Sequence, residues 1–308
     1  MQTGTLQTPV ALFVFNRPGT TRRVFDAISK AQPAKLLLIA DGPRQGRDEA
    51  EVCRRVREIV TSVSWPCEVF ENFSERNLGC RERMISGLDW VFSQVEEAII
   101  LEDDCLPDPS FFPFCQELLE RYRGDDRIAY ISGDNLVGRY RKPADSYYFS
   151  QIGGIWGWAT WRPEWQRYDR HLVDWPALRE RRMLEEVFDD PKVVAFWTQI
   201  FDAMHENRGP DTWDYQWLYT GLKNSSLTIV PNVNLVTNIG FGEGATHTIQ
   251  ADARFILPAT SMEFPLRHPA SFIPSRSLDR YRAQDMLQQS RMQRALKKAH
   301  RVASRFFS

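Results

Sequence analysis

The sequence predicts an α/β fold built of β-α-β units, with a sheet flanked by helices. Three observations carry this prediction. Short apolar, β-branched runs recur between Pro9 and Ser132, amphipathic stretches long enough for helices separate them, and most of the runs stop at polar residues suited to a strand end.

Taken in order, strands are expected at "VALFVF" (10–15), "KLLLIA" (35–40), "CEVFENF" (67–73), "AIILE" (98–102) and "IAYIS" (128–132). Helices are expected near 19–31, 47–62, 80–95 and 109–122, with Pro18 and Pro109 in first-turn positions, where a missing N–H is tolerated. In such sheets ligands bind beyond the carboxyl ends of the strands. Those ends read Asn16-Arg17, Asp41-Gly42, Glu75-Arg76-Asn77 and Glu102-Asp103-Asp104, so polar candidates gather where a site belongs.

The second half differs in composition. Eight of the ten tryptophans fall between Trp156 and Trp217, in "GGIWGWATWRPEW", "DTWDYQW" and the helix-like segments between them. A glycine-rich stretch, "GFGEGATHT" (240–248), follows the strand-like "LTIVPNVNLVTNI". It comes late and with the wrong spacing for a dinucleotide fingerprint, which disfavours an NAD role. We divide the chain into one domain over 1–273, with a nucleotide-binding half at 9–135 and an acceptor-binding, catalytic half at 136–273, followed by a basic helical extension at 274–308. In that extension nine Lys or Arg residues stand against two acids, and Met292, Leu296, Ala299, Ala303 and Phe306 share one helical face. The pattern suits contact of 276–308 with an anionic membrane surface; a helix lying on the domain and a frayed tail are the alternatives.

Bulk composition narrows the function classes. With 308 residues, 43% hydrophobic and 26% charged, the chain is long enough for a sizeable core and reads as globular. A net charge of −1 removes any whole-chain argument for nucleic acid, so an anionic partner must be met locally. Five cysteines without a CxxC pair give neither a disulfide framework nor a zinc knuckle. The apolar run near the N-terminus is too short for a signal peptide or a span, so a cytoplasmic location is expected.

The chemistry centres on "AIILEDDCLPDPSFF". Three adjacent carboxylates at the end of an apolar strand repel one another more strongly than in water, so something positive is expected beside them. Hard oxygen ligands facing strand ends that carry Arg17 and Asp41 suit Mg²⁺ or Mn²⁺ bridging carboxylate to a nucleotide diphosphate. The plain alternative is a solvated loop or a helix cap before Pro107.

At these residues a resemblance emerges. "IILEDDCLPDPSFFPFCQELLERY" resembles the acidic signature of GT-A fold glycosyltransferases related to N-acetylglucosaminyltransferase I and their bacterial relatives. "VFNRPGTTRRVFDAI", "LLLIADGP", "NLGCRERMISGLDWVF", "TWDYQW" and "GFGEGATHT" are similar to other elements of that family, in the expected order over roughly residues 10–250. The resemblance implies a GT-A mixed sheet flanked by helices, with Asp104 as ligand to Mn²⁺ or Mg²⁺. It further implies Glu102 and Asp103 on the donor ribose or sugar, Asn16 and Arg17 on the nucleotide, and Asp41 accepting from the uracil N3–H. Asn77 would lie near the base or ribose, Arg81 among the donor contacts, and His247 at the diphosphate as its loop closes. Asp214 matches the family's base position, with Asp211 as its competitor three residues away; Tyr215 replaces the second Asp of the eukaryotic "WDDW". Trp158 and Trp213 are candidates for stacking on a sugar, although rings that bury about 150–250 Å² are more often core.

The implied function is a metal-dependent, inverting glycosyltransferase. It would move a sugar from a UDP-sugar donor, N-acetylglucosamine as first guess, to a hydroxyl of a glycan or glycolipid acceptor of bacterial surface type. Two other classes stand beside it. A nucleotidyltransferase making such donors would carry a glycine-rich phosphate loop after the first strand, where "FNRPGTTRR" has one Gly. A non-catalytic carbohydrate-binding protein would have no need of "EDD" beside Arg17 and Asp41.

Overall fold

Residues 5–137, 144–240 and 257–288 are described by the structure, a computed structural model. The first half realises the expected alternation: β1 (Val10–Val14), α1 (Pro18–Ala31), β2 (Lys35–Ala40), α2 (Ala50–Thr61), β3 (Glu68–Phe73), α3 (Cys80–Gln94) and β4 (Glu97–Glu102). The centres of β1, β2 and β4 are buried on both faces, which is why they read as continuous apolar runs and not as alternations. α1 opens on Pro18 and turns Thr21, Val24, Phe25 and Ile28 inward, a stripe at helical spacing.

Beyond Glu102 come β5 (Cys105–Pro107), α4 (Phe111–Arg121), β6 (Ile128–Ser132), β7 (Tyr147–Ser150) and β8 (Trp158–Trp161). α4 starts two residues later than expected, so Pro109 lies in the turn before it, where Asp108 Oδ1 accepts from Ser110 N at 2.9 Å. A helical stretch follows: α5 (Arg162–Trp165), α6 (Trp175–Glu180), α7 (Met183–Val187), α8 (Pro191–His205) and α9 (Asp214–Lys223). The chain then returns to the sheet in β9 (Leu227–Pro231) and crosses its edge in β10 (Val236–Asn238).

The sheet has the order β3-β2-β1-β4-β8-β6-β9-β7. β3, β2, β1 and β4 are mutually parallel, β8 runs antiparallel between β4 and β6, β9 is parallel to β6, and β7 is antiparallel to β9. The carboxyl ends of β1, β2, β3, β4, β6 and β9 therefore share one edge. β5 and β10 form a separate antiparallel ribbon across it, with Cys105 opposite Asn238.

Two cores cover the two faces. On one, α1, α2 and α4 pack Phe25, Val56, Phe111, Phe114 and Leu118 onto the sheet. On the other, α3 packs Leu88, Val91 and Phe92 with Trp158, Trp165, Trp213 and Trp217. A third cluster, with Trp175, Trp197 and Tyr219, joins α6, α8 and α9. The helix at 276–288 packs Ala283 and Leu287 into that cluster, and its Asp279 accepts from Ser150 Oγ at 2.5 Å. The extension drawn from residue 274 thus begins as part of the domain's packing, while its apolar face from Met292 onward lies outside the described residues. No described helix is long and apolar enough to cross a membrane.

Trp158 and Trp213, the candidates for sugar stacking, are 1% and 2% exposed and stack on each other with centroids 5.4 Å apart. Trp158 also packs against Tyr130 and Trp217, and Trp213 against Trp165, so these rings are enclosed among core neighbours with no face left for a sugar. Trp158→Ala is accordingly expected to cost about 3–5 kcal/mol of stability. Urea denaturation measures this; a near-native midpoint with a weakened carbohydrate interaction would return Trp158 to the surface role.

Candidate active site

The acids meet their counter-charge because β1 and β4 pair with Phe13 opposite Glu102, so the residues that follow each strand emerge side by side. Asp103 Oδ2 accepts from the backbone N–H of Phe15 at 3.1 Å. Arg17, capping the start of α1, places Nη1 2.8 Å from Asp104 Oδ2. Arg17 is the positive partner that the carboxylate row demands. The other Asp104 oxygen faces Asn238 Nδ2 at 3.4 Å, and the Asp104 carbonyl accepts from Ile239 N at 2.8 Å. Gly240 passes so close that a Cβ there would lie 2.1 Å from Asp104 Oδ2, so a side chain at this position would displace the Asp104 carboxylate. The stem of the glycine-rich stretch therefore rests on Asp104; His247 itself lies outside the described residues.

Burial pushes the Glu102 carboxyl well up, with the charges of Asp104, Asp103 and Asp214 adding to it and Arg17 opposing. Burial raises Asp103 as well, Asp104 again contributing. The row thus holds less negative charge than three exposed carboxylates would. Asp214, in the first turn of α9, stands close enough to the end of β4 for its charge to act on Glu102.

Cys80 sits among these groups. Its thiol is pushed up to about 12 by burial, then by the charges of Glu102, Asp211, Asp214 and Asp104. Sequence reasoning missed it, since a single Cys inside "NLGCRER" carries no spacing signal.

The two candidate bases differ in surroundings. Asp214 is half-buried at the start of α9, and Thr212 Oγ1 donates to its Oδ1. Asp211 is exposed, precedes the helix, and accepts from Cys80 N at 3.1 Å and Arg81 N at 3.2 Å. Arg81, expected at the donor, donates Nε to Thr212 O at 3.1 Å and Nη2 to Pro210 O.

At the end of β2, Asp41 is 5% exposed and already satisfied. Its Oδ1 accepts from Gly42 N and Leu78 N, both at 2.9 Å, and its Oδ2 from Asn77 Nδ2 at 2.9 Å and Gly79 N at 3.2 Å. Burial raises its carboxyl despite these bonds and the charge of Arg83. A uracil N3–H would have to displace one of these donors. Asn16 lies beside it at the edge, its Nδ2 donating to Glu49 Oε1 at 3.2 Å. Glu49 in turn is held low by Arg44, whose guanidinium stands 5.4 Å from the centre of the Phe15 ring. Neither Arg44 nor Glu49 stood out in the sequence, where "PRQGRDEA" reads as a charged turn.

The residues present fit a hard divalent cation only as a shared site. Among the described residues no group of three or more His, Cys, Asp or Glu is arranged to hold an ion by itself. Asp104 offers one carboxylate at the mouth, and Mg²⁺ or Mn²⁺ completes its shell with water and substrate phosphate in such settings.

No family model and no curated protein sequence matches the chain. Among solved structures it is similar to a mannosyltransferase from Pyrobaculum calidifontis in complex with GDP-Man and Mn²⁺, at 13% identity over 71% of this chain and 70% of that one, with a TM-score of 0.40. It is also similar to a 4-diphosphocytidyl-2C-methyl-D-erythritol synthase from Anaerococcus prevotii, at 9% identity over 81% and 95% of the two chains and a TM-score of 0.38. A UDP-glucose pyrophosphorylase complexed with UDP-glucose matches at 11% identity over 47% and 62%, with a TM-score of 0.26. Two of the three are in complex with a nucleotide sugar, and none is an N-acetylglucosaminyltransferase. At such TM-scores the likenesses are weak, and the functional reading below rests on the residues themselves.

The raised carboxyls make stability depend on pH. Glu102 and Asp103 keep protons in the folded protein at pH values where the unfolded chain, with ordinary values of 4.5 and 3.8, has released them. Stability from these groups is therefore full below those values and is lost as pH rises through the raised folded ones. The melting temperature is expected to fall between pH 5 and 8, and Glu102→Gln, which cannot ionise, should flatten the fall. In a chain of this size each kcal/mol recovered corresponds to roughly 2–4 °C. Calorimetric scans of both proteins across that range check it; parallel curves would count against the burial of Glu102.

Proposed function

We propose that the protein is a glycosyltransferase that takes a sugar from a nucleotide-diphosphate donor, with inversion, and places it on a hydroxyl of a glycan or glycolipid acceptor. The observation that supports this most is the meeting of two acidic systems at one edge: the Glu102-Asp103-Asp104 row beside Arg17, with Asp103 buried and its neighbours half-buried, and Asp214 at the start of α9.

In this reading Arg17 leaves part of its pairing with Asp104 to bind diphosphate oxygens, for which a planar guanidinium is suited. Asp104 holds Mn²⁺ or Mg²⁺, which when bound stabilises the charge developing on the leaving diphosphate. Glu102 and Asp103 bind the donor ribose or sugar, with Asp103 fixed on Phe15 N. Asp214 takes the proton of the attacking hydroxyl, its carboxylate oriented by Thr212 Oγ1. Inversion requires that acceptor to stand across the sugar from the leaving group. UDP is the proposed nucleotide and N-acetylglucosamine the first sugar to try. Contact with an anionic membrane is proposed for 289–308, which carries six Lys or Arg residues and no acid.

A thermal-shift series with UDP-, GDP-, CDP- and ADP-sugars, with and without Mn²⁺, tests the donor site. Metal-dependent stabilisation by a UDP-sugar is expected, about 2.7 kcal/mol at a hundred times Kd, and chelation or Asp104→Ala should remove it. Asp214→Asn should keep that stabilisation and lose about 10²–10⁴-fold in transfer. Release of pyrophosphate from UTP and a sugar phosphate would instead favour the nucleotidyltransferase, and sugar binding with no nucleotide response the carbohydrate-binding protein.

A further inference from the structure

Residues 76–81, Arg-Asn-Leu-Gly-Cys-Arg, run from the end of β3 into α3. Four consecutive backbone N–H groups of this strap go to two carboxylates from distant parts of the chain. Leu78 and Gly79 donate to Asp41, at 2.9 and 3.2 Å; Cys80 and Arg81 donate to Asp211, at 3.1 and 3.2 Å.

A helix start leaves N–H groups that a Ser, Thr, Asp or Asn at the cap position ordinarily satisfies. The cap of α3 is Gly79, at φ 81, which has no side chain to offer. Asp211, 131 residues beyond Cys80, supplies the missing oxygens. A side chain at position 79 would meet it, since a Cβ there falls 2.9 Å from Asp211 Oδ2. The strap returns the contact through Arg81, whose guanidinium donates to the carbonyls of Pro210 and Thr212. Thr212 then donates to Asp214. One continuous set of bonds runs from Asp41 through residues 77–81 and 210–212 to Asp214.

We propose that Asp211 is a positioning residue: by capping α3 across the site, it fixes Asp214 relative to the nucleotide-binding half. The proposal rests on Asp214 being the proton acceptor of the function proposed above. Each oxygen of Asp211 accepts an amide of the strap, which commits the carboxylate to holding α3, while its neighbour three residues on is the proton acceptor in the function proposed above.

The full-length protein with Asp211→Ala, Asp211→Asn and Asp214→Asn tests it. Asp211→Ala should lower kcat by about 10–100-fold, the effect of misplacing a reacting group by an ångström or less. UDP affinity, measured by calorimetry, should stay within about threefold of the wild type, and the acidic limb of the kcat profile should keep its position. Asp211→Asn retains an oxygen to accept the amides and should recover most of the rate. Equal losses in Asp211→Ala and Asp211→Asn together with a vanished acidic limb would make Asp211 the base and overturn the proposal, as would an unchanged kcat. Hydrogen exchange separates this from the function itself. If no transfer is found for any donor, Asp211→Ala should still speed amide exchange both at 80–81 and at 212–217. Faster exchange at 80–81 alone would overturn the positioning role.

Discussion

Three carboxylates in a row at the end of a buried strand set the terms for the rest of this protein. β4 can be central only because its apolar residues are covered on both faces, and that same burial carries Glu102 and Asp103 away from water. Their charge must be answered locally. The answers come from every direction: a guanidinium from the start of α1, a backbone amide from Phe15, protonation favoured by burial, and a ribbon of β5 and β10 that lays Asn238 and Gly240 against Asp104. With Glu102 and Asp103 pushed toward their neutral forms and Asp104 paired with Arg17, the charge of the row is answered within the chain itself.

Much of the first half was legible because β1, β2, β4 and β6 are apolar runs closed by polar residues, β3 alone being mixed and unburied among them. "KLLLIA" is buried from Leu36 onward, and β2 occupies those six residues. The ends of α2 and α4 shifted inward because Arg47 to Glu49 and Pro109 to Ser110 serve turns, with Glu49 accepting from the backbone N–H of Arg44 and Asp108 from that of Ser110. The ribbon of β5 and β10 was not legible. Each strand is three residues long, and its pairing joins Cys105–Pro107 to Val236–Asn238, a contact that no local pattern reports.

The tryptophan-rich half shows the limit from the other side. A ring's chemistry is the same whether it stacks on a sugar or on another ring, and only burial separates the two. Trp158 begins β8, a strand hydrogen-bonded on both sides, and Trp213 caps α9 against it. Both are core residues whose stacking ties the start of α9 to β8.

Asp211 and Asp214 make the same point at the scale of three residues. In the sequence a spacing of three suggests one helical turn and two equivalent acids. Pro210 and Thr212 keep the chain irregular up to Trp213, and the helix begins at Asp214. Asp211 therefore lies outside the helix and turns to the amides of α3, while Asp214 stays with the charges around Glu102. What divides their surroundings is where the helix starts, and the glycine at the cap of α3 leaves two amides that an acid from the other half of the chain holds.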